Sequence, residues 1–340
     1  MGKALDEIFG DLNKKAKAEI ACKGLINYEY TRVPFTSPRM NYMTFGGLPT
    51  GRLYEFYGEE GGGKTTTALD IVANYQNMFP DRDVLYIDAE NTLDPEWAMK
   101  LGVDISNIYL VKPESQSAED IFELVVNSVD SGEVGLWVID SLGSLLSKQE
   151  WEKEMEEKTY GGISMALTKF SKKIQSLNKA HDCLGIGINQ LRDKINSPYG
   201  GTTTPGGRAW KFFCSARIEF RKGSYFDEKG NALSRGAENP AGNFVMAHIE
   251  KTKIAPPSRK EGQYRINYIE GIDYITDLID VAVLKGIIEK KGAWFTVLDT
   301  ETGEILKDKI QGQANLAEVL DNNMDLTQRV EQLVDIELNK

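Results

Sequence analysis

Residues 53–65 read Leu53-Tyr54-Glu55-Phe56-Tyr57-Gly58-Glu59-Glu60-Gly61-Gly62-Gly63-Lys64-Thr65. A strand-like apolar run breaks into a glycine-rich turn, ends on Lys-Thr, and leads into a helix-forming stretch, Lys64–Met78. The spacing is that of a phosphate-binding loop, GxxxxGK[ST], in a strand–loop–helix setting. Glycines let backbone N–H groups approach phosphate oxygens, and the helix start adds its positive dipole end. Lys64 is expected to reach the β- and γ-phosphates, and Thr65 to bind Mg²⁺ through its hydroxyl. The expected nucleotide contacts are Gly58, Glu59, Glu60, Gly61, Gly62, Gly63, Lys64, Thr65 and Thr66. A chance glycine-rich turn is the competing reading; the flanking strand and helix argue against it.

Outward from this loop the chain alternates strand-like and helix-like segments. Strands are expected at Arg52–Tyr57, Val84–Asp88, Val134–Asp140, Leu184–Asn189, Ala216–Arg221, Phe244–Glu250 and Gln263–Tyr268. Helices are expected at Lys64–Met78, Glu96–Leu101, Ala118–Ser128, Ile163–Asn178 and Thr276–Lys285. A βαβα order implies an α/β fold with a mostly parallel sheet covered by helices. The closer spacing of the later strands implies an antiparallel extension. Leu5–Cys22 reads as a helix in an N-terminal arm, 1–32, with Pro34 and Pro38 breaking any helix after it. A core over 33–269 and a small α+β domain over 270–340, ending in a helix Leu326–Leu338, complete the division.

Three strand ends aim chemistry at one sheet edge, where open α/β sheets bind ligands. Gly135-Leu136-Trp137-Val138-Ile139-Asp140 is a buried-strand pattern that delivers Asp140, suited to Mg²⁺ beside Thr65. By itself an apolar strand ending in Asp is common; the upstream loop gives it meaning. The next residue is Ser141 rather than a glutamate, so the group that activates water must come from elsewhere. Glu90, in Ile87-Asp88-Ala89-Glu90, is the best candidate, against a solvated carboxylate or helix cap. Gln190, at the end of Leu184–Asn189, is placed to bond the γ-phosphate or merely to anchor the loop that follows.

Two stretches read as functional loops, Glu150–Gly161 and the glycine–threonine-rich Arg192–Gly207. Cations and aromatics gather around them: Tyr160, Gly161, Lys169, Lys172, Arg192, Lys194, Tyr199, Gly206, Gly207 and Arg208. Phosphate backbones need cations and N–H donors, and bases accept aromatic platforms, so these residues are candidate DNA contacts. A lysine-rich helix alone is more often plain surface. Lys251 and Lys253 share one face of an extended segment by period two. Such a pair is ordinarily solvated, yet set against another subunit's phosphates it could stabilise transition-state charge.

The bulk properties limit the alternatives. With 40 Lys and Arg against 51 Asp and Glu, net charge is −11, so DNA must meet a local basic groove rather than the whole surface. No apolar run reaches the roughly 18 residues of a membrane span, and the N-terminus lacks a secretion-signal pattern, which favours the cytoplasm. Three cysteines, Cys22, Cys183 and Cys214, form no CxxC pair, and Cys183 and Cys214 read as buried thiols. Two histidines, His181 and His248, make a histidine metal site or triad a poor reading.

Taken together, Gly46-Gly47-Leu48-Pro49-Thr50-Gly51-Arg52, Ile87-Asp88-Ala89-Glu90-Asn91-Thr92-Leu93-Asp94-Pro95, Val138-Ile139-Asp140-Ser141, Ile188-Asn189-Gln190-Leu191-Arg192 and Lys251-Thr252-Lys253-Ile254-Ala255 resemble the RecA recombinases in order and spacing, over about 44–297. The resemblance implies a RecA-type P-loop ATPase core that binds ATP and Mg²⁺. It implies helical homo-oligomeric filaments on single-stranded DNA, and strand exchange with double-stranded DNA, assisted by single-strand-binding and loading proteins. Glu90 resembles the water-activating glutamate and Gln190 the γ-phosphate sensor. Lys251 and Lys253 resemble lysines that reach a neighbouring subunit's ATP, and Lys211-Phe212 the segment linking the DNA loop to that contact. Asp94 and Trp97 stand where the family contacts adenine, with Trp97 replacing a tyrosine; Tyr268 aligns with a tyrosine near adenine across the interface. Tyr160 replaces an inserting methionine, and Pro198 and Pro205 mark a slightly shortened second loop. A divergent, phage-type member fits these departures. A ring-forming helicase of the same superfamily and an ATP-binding mediator paralogue are the other readings.

Overall fold

Uninterrupted apolar runs such as Leu136-Trp137-Val138-Ile139 cannot be solvated on either face, and the chain resolves this by stacking them as parallel strands between helices. The computed structural model describes residues 3–16, 30–152, 162–193, 201–234 and 237–338. The chain divides into two compact units, Met1–Thr31 and Arg32–Lys340. Within the first, helix Lys3–Ala16 exposes Leu5, Ile8 and Leu12 at helical spacing. It matches the expected arm helix up to Ala16; residues 17–22 of that expectation, Cys22 among them, lie outside the described residues.

The second unit is built on a ten-stranded sheet. Its main strands are β1 (Leu53–Gly58), β2 (Asp83–Asp88), β3 (Ile108–Val111), β4 (Val134–Asp140), β5 (Leu184–Gln190), β6 (Ala216–Phe226), β7 (Gly242–Thr252), β8 (Glu261–Asn267) and β9 (Gly271–Ile272). They lie in the order β9-β8-β7-β6-β1-β5-β4-β2-β3, with a two-residue strand, Ala232–Leu233, beside β6. The strands from β6 through β1 to β3 are mutually parallel, and β6, β7, β8 and β9 pair antiparallel. The expected parallel sheet with an antiparallel extension is therefore present.

Helix Lys64–Met78 and the β4 strand have the expected bounds. Several elements escaped the sequence reading. Pro38, expected to break a helix, instead opens one, Pro38–Thr44. Its missing N–H costs nothing at the first turn, and Ser37 caps the helix by accepting from the Met40 N–H at 3.1 Å. Strand β3 is a half-exposed edge whose Tyr109 and Leu110 face outward, so no alternation marks it. The glycine-rich stretch ends in helix Gly207–Phe213, and its start closes as a small hairpin in which Arg192–Asp193 pairs with Thr202–Thr203.

A separate core gathers Leu278, Val281, Phe295, Val297, Leu320 and Leu333 between a three-stranded antiparallel sheet (Ile288–Lys291, Trp294–Leu298, Ile305–Gln311) and helices Tyr274–Leu284, Gln313–Asp321 and Met324–Leu338. Asp277, on the first of these helices, ties this region to helix Pro38–Thr44. Its Oδ2 accepts from the Ser37 hydroxyl and from the Arg39 N–H at 3.0 Å. Burial pushes this carboxyl up to about 7, against the lowering effect of those bonds. The folded state thus holds the proton more tightly than the unfolded chain does, so the contribution is present below about pH 4 and is lost as pH rises through 7. We expect thermal stability to fall over that window by an amount on the order of a few kcal/mol. The Asp277→Asn variant should flatten this part of the profile in melting curves recorded from pH 4 to 8.

Candidate active site

The parallel strands bring their C-terminal ends to one edge. In register, Gly58 of β1 faces Gln190 of β5, and Asp88 of β2 faces Asp140 of β4. β1 can turn into the phosphate loop because Gly58 has no side chain: a Cβ there would stand 2.0 Å from the Phe220 carbonyl oxygen. Gly63, at φ 92, sets the left-handed start of helix Lys64–Met78.

Lys64 Nζ donates to the Glu59 carbonyl at 2.6 Å, which draws the loop around the ammonium. Burial lowers the lysine's pKa, while Asp140, Glu90, Glu60 and Glu59 pull it back up. The Thr65 hydroxyl donates to Asp140 Oδ2 at 2.7 Å, and the Tyr86 hydroxyl donates to the same oxygen at 3.2 Å. Burial pushes the Asp140 carboxyl up to about 6, with Thr65 opposing. A buried carboxylate hydrogen-bonded to a threonine hydroxyl is a donor set that fits a hard cation. Among the described residues no group of three or more His, Cys, Asp or Glu side chains forms a self-sufficient metal cage. A cation here would take its remaining ligands from phosphate and water.

Glu90 stands beside this pair. Its Oε1 accepts from the Ser141 hydroxyl, from the Ser144 hydroxyl at 3.1 Å and from Gln190 Nε2 at 2.9 Å. Asp88 shapes the turn that presents it, by accepting from the Thr92 and Leu93 N–H groups at 3.1 Å each. Ser141, Ser144 and Asp88 were not singled out from sequence.

Above the loop opens a cleft of about 390 Å³, walled by Trp97 on one side and by Lys222, Asn243, Ile266 and Tyr268 on the other. Trp97 is fixed by donating its ring N–H to the Thr66 hydroxyl at 3.2 Å. Asp94 is spent differently: it caps helix Pro95–Lys100, accepting from Glu96 N at 2.9 Å and Trp97 N at 3.3 Å, and so aims Trp97 rather than lining the cleft itself. Tyr268 lines the cleft of the chain that carries it. Lys222, Asn243 and Ile266 come from the antiparallel extension and carry no local signal. Gly58, Glu59 and Glu60 stand outside the cleft wall, at the loop's entry.

Lys251 Nζ donates to the carbonyls of Lys211 and Phe212 at 2.6 Å each, and Lys253 Nζ to that of Phe212 at 3.2 Å. Both ammoniums lie over the exposed Phe212 ring, at 5.6 and 5.3 Å from its centroid. The expected shared face is real, and it caps the C-terminal end of helix Gly207–Phe213. Lys211 Nζ in turn donates to the Thr203 hydroxyl of the hairpin at 2.8 Å. Beneath lies a network that is buried except at its exposed end, Glu250. Arg217 joins Glu55 and Glu250, Asn189 Nδ2 donates to Glu55 at 2.8 Å, and the Tyr57 hydroxyl donates to Glu250 at 2.7 Å.

The candidate DNA residues divide. Gly206 and Gly207 pack on Leu167 and Ser164 of helix Ile163–Ala180, with exposed Arg208 following. Arg192 is tied to the Gly143 carbonyl at 2.8 Å. Lys169 faces the other way: with Lys173, Ala166 and Phe170 it lines a groove against Glu119, Phe122 and Glu123. At 100° per residue it stands opposite Leu167 and Ser164, so it does not join the loop cluster. Lys172 lies on the exposed flank between the two faces. Tyr160, Gly161, Lys194 and Tyr199 lie outside the described residues. Cys183 and Cys214 are buried free thiols, as expected. His181 and His248 each stand beside one surface carboxylate, Asp130 at 4.0 Å and Glu261 at 3.3 Å.

A family model described as the RecA N-terminal domain matches residues 31–273, and one described as the RecA C-terminal domain matches residues 276–339. The chain is 36% identical over 291 residues to Protein RecA of Clostridioides difficile, covering 85% of this chain and 78% of that protein. It is 38% identical over 288 residues to Protein RecA of Clostridium acetobutylicum, covering 84% and 76%, and 38% identical over 291 residues to Protein RecA of Caulobacter vibrioides, covering 85% and 76%. No helix among the described residues is long and apolar enough to cross a membrane.

Proposed function

The chain belongs to the RecA family, and from that premise we propose how its own residues perform the family's task. It is a DNA recombinase of recombination and repair and a DNA-dependent ATPase, with the mostly parallel ATPase fold described above. It binds nucleotide and DNA and forms filaments. The observation that carries the residue assignment is the 2.9 Å hydrogen bond from Gln190 to Glu90. It joins the candidate base to the strand end that leads into the Arg192–Thr203 hairpin.

In this reading ATP lies on Gly61–Thr66 with its base between Trp97 and Tyr268. Thr65 and Asp140 would hold Mg²⁺, which would neutralise phosphate charge. Glu90 orients and deprotonates the attacking water, the water oxygen bonds the γ-phosphorus, and the β–γ bridging oxygen leaves with ADP. Gln190 Nε2 carries two N–H donors, one spent on Glu90 and one able to reach a γ-phosphate oxygen, so loss of that oxygen releases one of its bonds and reports the phosphate to the hairpin. Arg192, Gly206, Gly207 and Arg208 serve single- and double-stranded DNA, together with Tyr160, Gly161, Lys172, Lys194 and Tyr199. Lys251 and Lys253 complete a neighbour's site. We assign 1–32 to polymerisation, 33–269 to the ATPase core and 270–340 to a small C-terminal domain, working in the cytoplasm with single-strand-binding and loading proteins.

The test is strand exchange between circular single-stranded and linear duplex DNA at saturating ATP, beside electron micrographs on single-stranded DNA. Filaments and joint molecules are expected. Closed rings without joint molecules would support a helicase instead, and DNA-independent, negligible turnover a mediator.

A further inference from the structure

Lys222 is the second cation of the nucleotide cleft, and nothing in the phosphate-loop pattern announces it. It leaves β6 two residues after Phe220, whose carbonyl abuts Gly58, and its Cδ lies 3.9 Å from where a Cβ on Gly61 would stand. The stem therefore runs along the phosphate loop, and the side chain lines the same cleft as Gly61–Thr66. The ammonium is held by neutral groups. It donates to the Tyr225 hydroxyl at 2.9 Å and stands 4.5 Å from that ring's centroid. Among the described residues no carboxylate forms an ion pair with it. Across the same wall the Tyr268 hydroxyl donates to Asn243 Oδ1 at 2.9 Å, and Asn243 donates onward to the Phe244 carbonyl at 2.8 Å. Asn243 thus fixes the direction of the Tyr268 hydroxyl.

We infer that Lys222 binds a phosphate oxygen of the nucleotide from the wall opposite Lys64, with Tyr225 and Asn243 as positioning residues. The inference rests on the ATP-site reading above. An unpaired cation beside backbone N–H donors that receive an anion adds attraction at the phosphate end, where the ligand carries its charge. A cation on the outer wall contributes equally before and after the chemical step, so it acts on affinity rather than on turnover.

The test uses the full chain with Lys222→Met, which keeps length and removes charge, and Lys222→Arg, which restores charge. Steady-state ATPase on single-stranded DNA and titration with a fluorescent ADP analogue are read together. Lys222→Met should raise KM and the ADP Kd about tenfold, to the same extent for ATP and GTP, with kcat kept and Lys222→Arg close to the parent. Unchanged KM and Kd would overturn the assignment. So would an altered ATP-to-GTP preference, which would move Lys222 to the base, or a loss confined to DNA affinity. Lys64→Ala in parallel separates the two readings: if it loses ADP while Lys222→Met does not, only the Lys222 inference fails. If Lys64→Ala binds ADP normally, the ATP site itself is misplaced.

Discussion

Lys64→Ala is expected to lower ATP turnover by about 10²–10³-fold and to abolish nucleotide-dependent filaments. The ammonium has two jobs that alanine cannot do. It gathers the loop by bonding the Glu59 carbonyl at 2.6 Å, and it brings a charge to the end of the loop where the transferred phosphoryl develops its own. Removing it leaves Asp140, Glu90, Glu59 and Glu60 as an unbalanced acidic cluster facing an anionic ligand. Electron microscopy with a slowly hydrolysed ATP analogue checks the assembly, and phosphate release checks the turnover. Filaments of ordinary length would disconnect this loop from assembly.

Glu90→Gln is expected to lower turnover by about 10²–10⁴-fold, the range for a general base, while nucleotide affinity stays. The amide keeps its shape and an oxygen able to accept from Ser141, Ser144 and Gln190, so the pocket should hold its form. What is lost is basicity. The signature is a filament that binds ATP, assembles on DNA and fails to disassemble. Single-turnover hydrolysis in preformed filaments isolates the step. Turnover equal to the parent would mean that the base lies elsewhere.

The parts of the site that were legible in the sequence are those fixed by local order. A strand must end before a loop, and a helix must start after it, so Lys64, Thr65, Asp140, Glu90 and Gln190 could each be placed at one sheet edge from spacing alone. The edge then brings Gly58 beside Gln190 and Asp88 beside Asp140. Residues that reach the site through non-local pairing were not legible. Lys222, Asn243 and Ile266 arrive because β6 pairs with β1, and β7 and β8 follow it; no short-range pattern encodes that. Lys169 stands apart from the loop residues for a different reason: sequence proximity to a loop says nothing about helix phase, and its phase turns it toward Glu119 and Glu123. Arg217 and Glu55 sit inside apolar runs, where composition hides an ion pair that is closed only when β1 and β6 meet. Helix Gly207–Phe213 was masked by its own glycine-rich start.

With Lys251 and Lys253 completing a neighbour's site as proposed, their placement on the last carbonyls of helix Gly207–Phe213 would set the charge balance of a filament joint. An ammonium that turns toward a neighbour's phosphates must leave the Lys211 and Phe212 carbonyls and uncover the Phe212 ring. Joining two protomers would then be an exchange of ammonium partners rather than a simple addition. The helix carbonyls wait to take the ammoniums back when the neighbour's phosphate leaves, so such a joint would part without any other bond in the fold having to break.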